Sequence, residues 1–287
     1  MGGFSRDGSA LLTVDADGGM RLWDPATRTC RSEIPVDRFA APCTRVCLSS
    51  DARRLATSNG MNRRVRVLDT HTGREDFPLE ADSAAFAFSD DGRQLAVAGW
   101  WLEIYDVATG QRVDRDAPRL EVSLDSAFAP GARRLASIAR DDQRLTVYDV
   151  ATRRPLSTFA VGTTDPRAMV FSPDGERVAL SNHGGGGRMH EAIRIWSASS
   201  GDKLVTIPTT APDQHFEGLA FSPDGALIAA AGGEDRLVHV YRVDTGVEVH
   251  TFAGHEGAVR SVCWSPTGLI ASGADDGRVL LWTLPGR

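Results

Sequence analysis

Seven times along the chain an apolar residue runs into a short polar turn: FSRDG from Phe4, LSSDA from Leu48, FSDDG from Phe88, FAPGA from Phe128, FSPDG from Phe171 and again from Phe221, and WSPTG from Trp264. The anchors are separated by 44, 40, 40, 43, 50 and 43 residues. Each turn is followed by an apolar run (LLTV, RLATS, QLAVAG, RLASIA, RVALS, LIAAAG, LIASG) and a second turn. An alternating segment comes next: MRLWD, VRVLD, LEIYD, LTVYD, IRIWS, VHVYR or VLLWT. Most units then pass a turn such as ATG or DTG into a fourth apolar–polar stretch, clearest at Val247–Phe252. Short runs rich in β-branched and aromatic residues, cut by Gly, Asp and Pro, read as strands. Asp-Gly and Thr-Gly provide the positive φ that tight hairpins need. No segment keeps a helical period for three turns. The pattern predicts an all-β chain: a seven-bladed β-propeller of four-stranded antiparallel sheets over residues 1–287, each sheet covering the faces of its neighbours. Small residues in second strands (Ala229–Gly232, Ala271–Gly273) suit a crowded inner position, and third-strand aromatics suit a wider outer gap.

The units resemble WD40 repeats over essentially the whole chain, best in the last one, GHEGAVRSVCWSPTGLIASGADDGRVLLW from Gly254 to Trp282. The resemblance implies a hydrogen-bonded network of His255, Ser272, Asp276 and Trp282. The first unit keeps a partial set, Thr13, Asp17 and Trp23. The sixth keeps Asp235 beside Ala231 and Tyr241, and the third, with its GWW turn, has no Asp. Buried Trp and His N–H groups need acceptors and a buried carboxylate needs donors, so most sheets are expected to be held by packing alone. Family members close the ring with an N-terminal segment that forms the outer strand of the last blade and then the inner strand of the first. Only three residues precede Phe4 and the sequence stops at WTLPGR. The expectation is a ring incompletely closed at the N-terminus, short of about two strands by repeat length, in the C-terminal part of a longer polypeptide or one with a misassigned start.

Composition narrows the role. A net charge of −6 argues against nucleic acid and anionic membrane as partners. The N-terminus shows no secretory pattern, and no apolar stretch reaches the roughly 18 residues that span a bilayer. Cys30, Cys43, Cys47 and Cys263 contain no CxxC pair and read as free thiols in a reducing cytoplasm. Lys203 is the single lysine beside 31 arginines, which points to a GC-rich bacterial genome.

Catalytic and cofactor motifs such as GxSxG, GK[ST] and HExxH are absent from the sequence, so neither catalysis nor a cofactor is expected. The Ser, His and Asp of the last unit read as structural. His183, His190 and Glu191 flank four glycines that give metal ligands no rigid frame, and the aspartate-rich turns lack calcium-loop spacing. What remains is surface. Arg63, Arg64, Trp100, Trp101, Arg140, Arg144, Arg188, His215 and Arg236 fall in turns expected on one rim, and Arg and Trp are frequent binding hot spots. The bland alternative pairs each arginine with an aspartate of its own turn (Arg140 with Asp141, Arg236 with Asp235) and packs a tryptophan between blades. The favoured reading is a non-catalytic scaffold or sensor that binds protein or peptide, with acidic or phosphorylated segments matched to the arginines. The resemblance also implies fusion to a kinase or a STAND-type NTPase domain. The rival classes are a propeller hydrolase or lactonase and a small-ligand or glycan sensor at the channel mouth.

Overall fold

The computed structural model describes residues 2–15, 17–34, 43–59, 65–79, 85–122, 126–139, 143–162, 166–182, 191–208 and 215–286. These form seven antiparallel sheets in chain order. The first contains β1 (Gly2–Phe4), β2 (Leu11–Val14), β3 (Met20–Asp24) and β4 (Thr29–Ile34), and the second β5 (Cys43–Leu48), β6 (Arg54–Asn59), β7 (Val65–Asp69) and β8 (Glu75–Leu79). The third has β9 (Ala85–Phe88), β10 (Gln94–Ala98) and β11 (Leu102–Asp106). The fourth has β12 (Ser126–Phe128), β13 (Arg134–Ala139), β14 (Arg144–Asp149) and β15 (Pro155–Ala160). The fifth has β16 (Pro166–Phe171), β17 (Arg177–Asn182), β18 (Glu191–Ser197) and β19 (Lys203–Pro208). The sixth has β20 (Gly218–Phe221), β21 (Leu227–Ala231), β22 (Leu237–Arg242) and β23 (Glu248–Ala253). The seventh has β24 (Val259–Trp264), β25 (Ile270–Ala274) and β26 (Val279–Trp282).

The chain divides into two compact units, one of residues 1–139 with 149–154 and one of residues 140–148 with 155–287. In the first, successive inner strands β1, β5, β9 and β12 are neighbours. The space between sheets is filled by sets such as Leu12, Leu22, Leu55 and Leu68, or Val65, Val67, Phe86 and Leu95, all buried. In the second, β16, β20 and β24 are neighbours, and Ile193, Ile195, Phe216, Ile228 and Tyr241 form one buried cluster. Each sheet is too thin to bury both faces alone, so the sequential stacking supplies the cores.

Two turn devices explain the repeat. In the anchor turn, Ser5 Oγ donates to Asp7 (2.6 Å) and accepts from Ala10 N–H (2.9 Å), and Gly8 N–H donates to Ser5 O. Ser49, Ser172 and Ser222 repeat this with Asp51, Asp174 and Asp224. The turn needs a left-handed residue, and where glycine is missing Ala52 and Ala132 take φ near 56°, a conformation costly for a residue with a Cβ. At the end of the third strand Asp24, Asp69 and Asp106 each accept two backbone N–H groups of the next turn. These carboxylates are thus used by the turns that follow them.

The all-β reading and its seven sheets hold, with two corrections. The first sheet has its inner strand: Gly2, Gly3 and Phe4 pair with Thr13, Leu12 and Leu11, so the expected loss of two strands is overturned at that position. The third sheet has three regular strands, and its fourth position is taken by an irregular segment. Trp101 bridges to Glu121 and Tyr105 to Arg112, Val113 N–H still donates to Ile104 O (2.9 Å), and residues 114–119 are irregular between the two bridges. Cys30 and Cys47 are free thiols, and Cys263 forms no disulfide among the described residues.

Candidate interaction surface

The last sheet brings together the four residues that the motif singles out. Trp282 Nε1 donates to Ser272 Oγ (2.7 Å), which lies 2.8 Å from His255 Nε2. His255 Nδ1 is 2.9 Å from Asp276 Oδ2. The indole is donor only, so the serine hydroxyl must give its one hydrogen to Nε2, and Nδ1 then carries the proton toward Asp276. Asp276 also accepts from the N–H groups of Glu256 (2.9 Å) and Arg278 (2.8 Å). Gly257 is required nearby, since a Cβ there would sit 2.6 Å from Asp276 N. In the first sheet Trp23 Nε1 donates to Thr13 Oγ1 (2.8 Å). Asp17 is exposed and takes no part in that pair; the turn is closed instead by Asp15, whose Oδ1 accepts from Gly19 N–H (2.6 Å). Sequence spacing misassigned that carboxylate by two positions.

The sixth sheet builds a different arrangement. Register places Ala230 where the last sheet has Ser272, one position before the Ala231 that spacing singled out, and the buried Tyr241 hydroxyl finds no partner. Asp235 turns to His239 instead, Oδ2 to Nε2 at 2.9 Å, and Glu248 meets Nδ1 at 2.5 Å. Burial pushes His239 toward the neutral form, but the Asp235 and Glu248 hydrogen bonds outweigh it and its pKa is raised above 6.5. A raised pKa in the fold adds stability that is complete below the unfolded value and is lost as pH rises through the folded one. We expect wild type to lose unfolding free energy between pH 6 and pH 9, and His239→Gln to show a flatter dependence. Urea titrations of both proteins at the two pH values measure this.

The residues expected on one rim are distributed as follows. Arg63, Arg64, Arg140 and Arg188 lie outside the described residues, as do His183 and His190. Trp100 is 59% exposed, which overturns packing between blades for that ring, whereas Trp101 is half-buried with the Arg119 guanidinium 5.1 Å from its centre. Arg144 is exposed on β14 and donates to Thr158 O (3.1 Å). His215 Nε2 lies 3.2 Å from Glu217. Arg236 is exposed, with φ at 64°. Asp235, offered above as its partner, has its oxygens on His239 and the Leu237 N–H.

A cluster in the second unit gathers more charge. Register shifts at the starts of β16 and β24 leave Arg167 and Arg260 as the extra residues of two bulges, and a bulge re-aims its side chain out of the ladder. Arg260 reaches Asp275 (2.7 Å), Glu234 (3.1 Å) and Glu217 (3.4 Å), and Arg167 reaches Glu217 from 3.6 Å. Backbone bonds in both directions between Gly233 and Val259 tie the turn carrying Glu234 to the start of β24. Glu234, Asp275 and Arg260 stay substantially exposed, so each ion pair is worth only about 0–1 kcal/mol and is open to exchange. Among the described residues no group of three His, Cys, Asp or Glu is placed to hold a metal, and no helix is long and apolar enough to cross a membrane.

The family model "WD domain, G-beta repeat" matches residues 209–242 and 246–283, the last two repeats. Serine-threonine kinase receptor-associated protein of Homo sapiens is 25% identical over 249 residues, covering 82% of this chain and 65% of that protein. The WD repeat-containing protein 26 homolog of Drosophila melanogaster is 24% identical over 313 residues, covering 97% of this chain and 45% of that one. The Cps50 (Swd1) β-propeller domain of Myceliophteria thermophila has a TM-score of 0.78 at 16% identity, covering 98% of this chain and 94% of the domain. The last two repeats of the chain are WD40 repeats, and its sheets are those of a β-propeller. The chain spans 65% of the length of the kinase receptor-associated relative. Kuenenia stuttgartiensis hydrazine synthase has a TM-score of 0.80 at 16% identity, covering 100% of this chain and 95% of that one; at that identity the likeness is one of fold. The two repeats matched by the family model contain the His255 network and, apart from Arg167, the Arg260 cluster. Sequence reading missed Arg167 and Arg260 because both sit inside strands; the one available signal was an arginine second in each strand, PRAMVF and VRSVCW.

Proposed function

We propose that this WD40 propeller is a non-catalytic, protein-binding scaffold of a bacterial cytoplasm, and that the Arg167–Glu217–Arg260–Glu234–Asp275 cluster is a contact surface. The observation carrying this reading is an exposed arginine shared among three carboxylates and held in place by a bulge. Such a group offers fixed donors to a partner at little cost in lost pairing. Its charges alternate in sign, so the partner is a polypeptide of mixed charge. An acidic or phosphorylated side chain would meet Arg260 and Arg236, and a basic one would meet Glu234. The names of the WD-repeat relatives agree with a binding role. The proposed cellular setting, as the sensing end of a longer chain with a kinase or STAND-type NTPase domain, rests on family resemblance.

The test is affinity capture from the source cell with wild type and Arg167→Glu/Arg260→Glu. Both positions are exposed enough that stability should move by no more than about 0.5 kcal/mol, checked by thermal melting. Loss of the captured partners is expected. An identical set of partners from the folded double variant would remove the cluster from consideration.

A further inference from the structure

The second, third and fourth sheets carry an arginine at the same point of the anchor turn. Arg53, Arg93 and Arg133 each follow directly on the left-handed residue, Ala52, Gly92 or Ala132. Their backbones are fixed from the turn after the third strand: Thr70 N–H donates to Arg53 O (2.9 Å), Val107 N–H to Arg93 O (2.8 Å) and Val150 N–H to Arg133 O (3.0 Å). All three arginines are exposed. The inner strands β5, β9 and β12 are neighbours within the first compact unit, so the repeat sets the three in a row along one rim. The turn itself does not demand them. Glu176 and Ala226 hold the matching positions in the fifth and sixth sheets, where their carbonyls accept from Ala198 and Val243 N–H.

Asp90 shows what such a row holds. Its Oδ2 accepts from Arg133 Nη2 (3.0 Å), and its Oδ1 pairs with Arg6 of the first anchor turn. A Cβ on Gly131 would strike this carboxylate, which therefore lies against the turn carrying Arg133. Arg53 and Arg93 make no ion pair among the described residues. The nearby Asp51 and Asp91 use Oδ1 for the Arg53 and Arg93 N–H groups (3.0 Å each) and for the Ser49 and Ser89 hydroxyls (2.6 Å each).

We propose that this rim binds an acidic peptide segment of a partner protein, whose carboxylates pair with Arg53, Arg93 and Arg133 as Asp90 pairs with Arg133. The flat guanidinium fork takes a carboxylate through two N–H groups. A nucleic-acid strand suits the row less well. Its phosphates recur every 3.4 Å or so along a strand and would be forced against Asp51, Asp90 and Asp91, whereas a peptide can space its acids to meet the arginines. Asp90 competes with the peptide for Arg133 and so lowers its affinity. The row shares no residue with the Arg260 cluster, and the two surfaces stand or fall separately.

The probe is a fluorescein-labelled octamer of glutamate, with an octamer of glutamine as control, titrated with the full chain in about 50 mM salt, where screening is weak. Saturable anisotropy is expected for the glutamate peptide alone, weakening as salt is raised. Arg53→Gln/Arg93→Gln should weaken it about tenfold at an unchanged melting temperature, since both side chains are exposed and both turns are held through backbone atoms. Should the double variant melt lower, Arg93→Gln alone replaces it, with about threefold weakening expected. Asp90→Asn should tighten binding by releasing Arg133. Arg167→Glu/Arg260→Glu should bind as wild type does, because the three carboxylates around Arg260 repel a peptide made only of glutamate. No saturation up to about 1 mM peptide, equal binding of the glutamine octamer, or indifference to the arginine substitutions overturns the proposal. So does tighter binding of single-stranded oligothymidylate than of the glutamate peptide, because the row would then belong to a nucleic acid.

Discussion

Asp276→Ala should lower the unfolding free energy by about 3 kcal/mol, most of it at the last sheet. The carboxylate accepts from Glu256 N–H, Arg278 N–H and His255 Nδ1, and the His255 ring is almost wholly buried. Each buried donor left without an acceptor costs about 1–3 kcal/mol. The loss then passes along the chain, because His255 no longer fixes Ser272 and Ser272 is the acceptor for Trp282. The pH dependence gives a second readout. Burial pushes the Asp276 carboxyl up, but the Arg278 and Glu256 amides and His255 hold it down to about 2, against 3.8 ordinarily. A depressed carboxyl pKa contributes stability that is present above the unfolded value and lost as pH falls through the folded one. The gap between wild type and Asp276→Ala in urea unfolding should be full at pH 7 and should shrink between about pH 4 and pH 2. An unchanging gap would mean the side chain acts only by filling space.

Arg153→Ala is expected to cost about 3–5 kcal/mol, as removing one partner of a buried ion pair does. The Arg153 side chain is 4% exposed and that of Asp114, to which it is paired, 8%. Arg153 also donates to Pro118 O (2.5 Å). Asp114 is held in turn by Arg112 Nε (2.7 Å), Arg112 by Glu103 (2.7 Å), and Glu103 by the Tyr105 hydroxyl (2.7 Å). Burial first, then Glu103, push the Tyr105 pKa far above its ordinary range, so it remains a donor. This chain anchors the irregular segment that stands in for a fourth strand. Arg153 sits at φ 59°, where the matching turns have Gly73, Gly110, Gly201 and Gly246. Arg153→Gly therefore relieves the backbone by about 1 kcal/mol and still loses the pair. The expected order of destabilisation is Arg153→Ala, then Arg153→Gly, then Arg153→Met/Asp114→Leu, which removes both charges together. Thermal melts rank the three; equal losses would show that the charges do not matter.

The sequence patterns located all seven sheets because each anchor turn is a local device. Its serine, aspartate and left-handed residue satisfy one another within five positions, so the motif is written contiguously. The His255 set was legible for the same reason, by spacing. Asp17 was not, because Asp15 competes for the same turn and only backbone geometry decides between them. The inner strand Gly2–Phe4 carried no signal: two glycines have low strand preference, and β2 alone recruits them. Arg167 and Arg260 were hidden because a bulge is a shift in pairing, which single-strand patterns do not encode. The bond between Arg153 and Asp114 joins positions 39 residues apart, beyond any local rule.

The self-contained anchor turn bears on how such a chain is inherited. A stretch of about 40 residues copied by tandem duplication brings its own hairpin closure with it, and needs from its neighbour only an oily flank of suitable size. Later drift can then erase Trp, Ser or His in one copy, as Ala230 and Tyr241 illustrate, while the copied architecture persists.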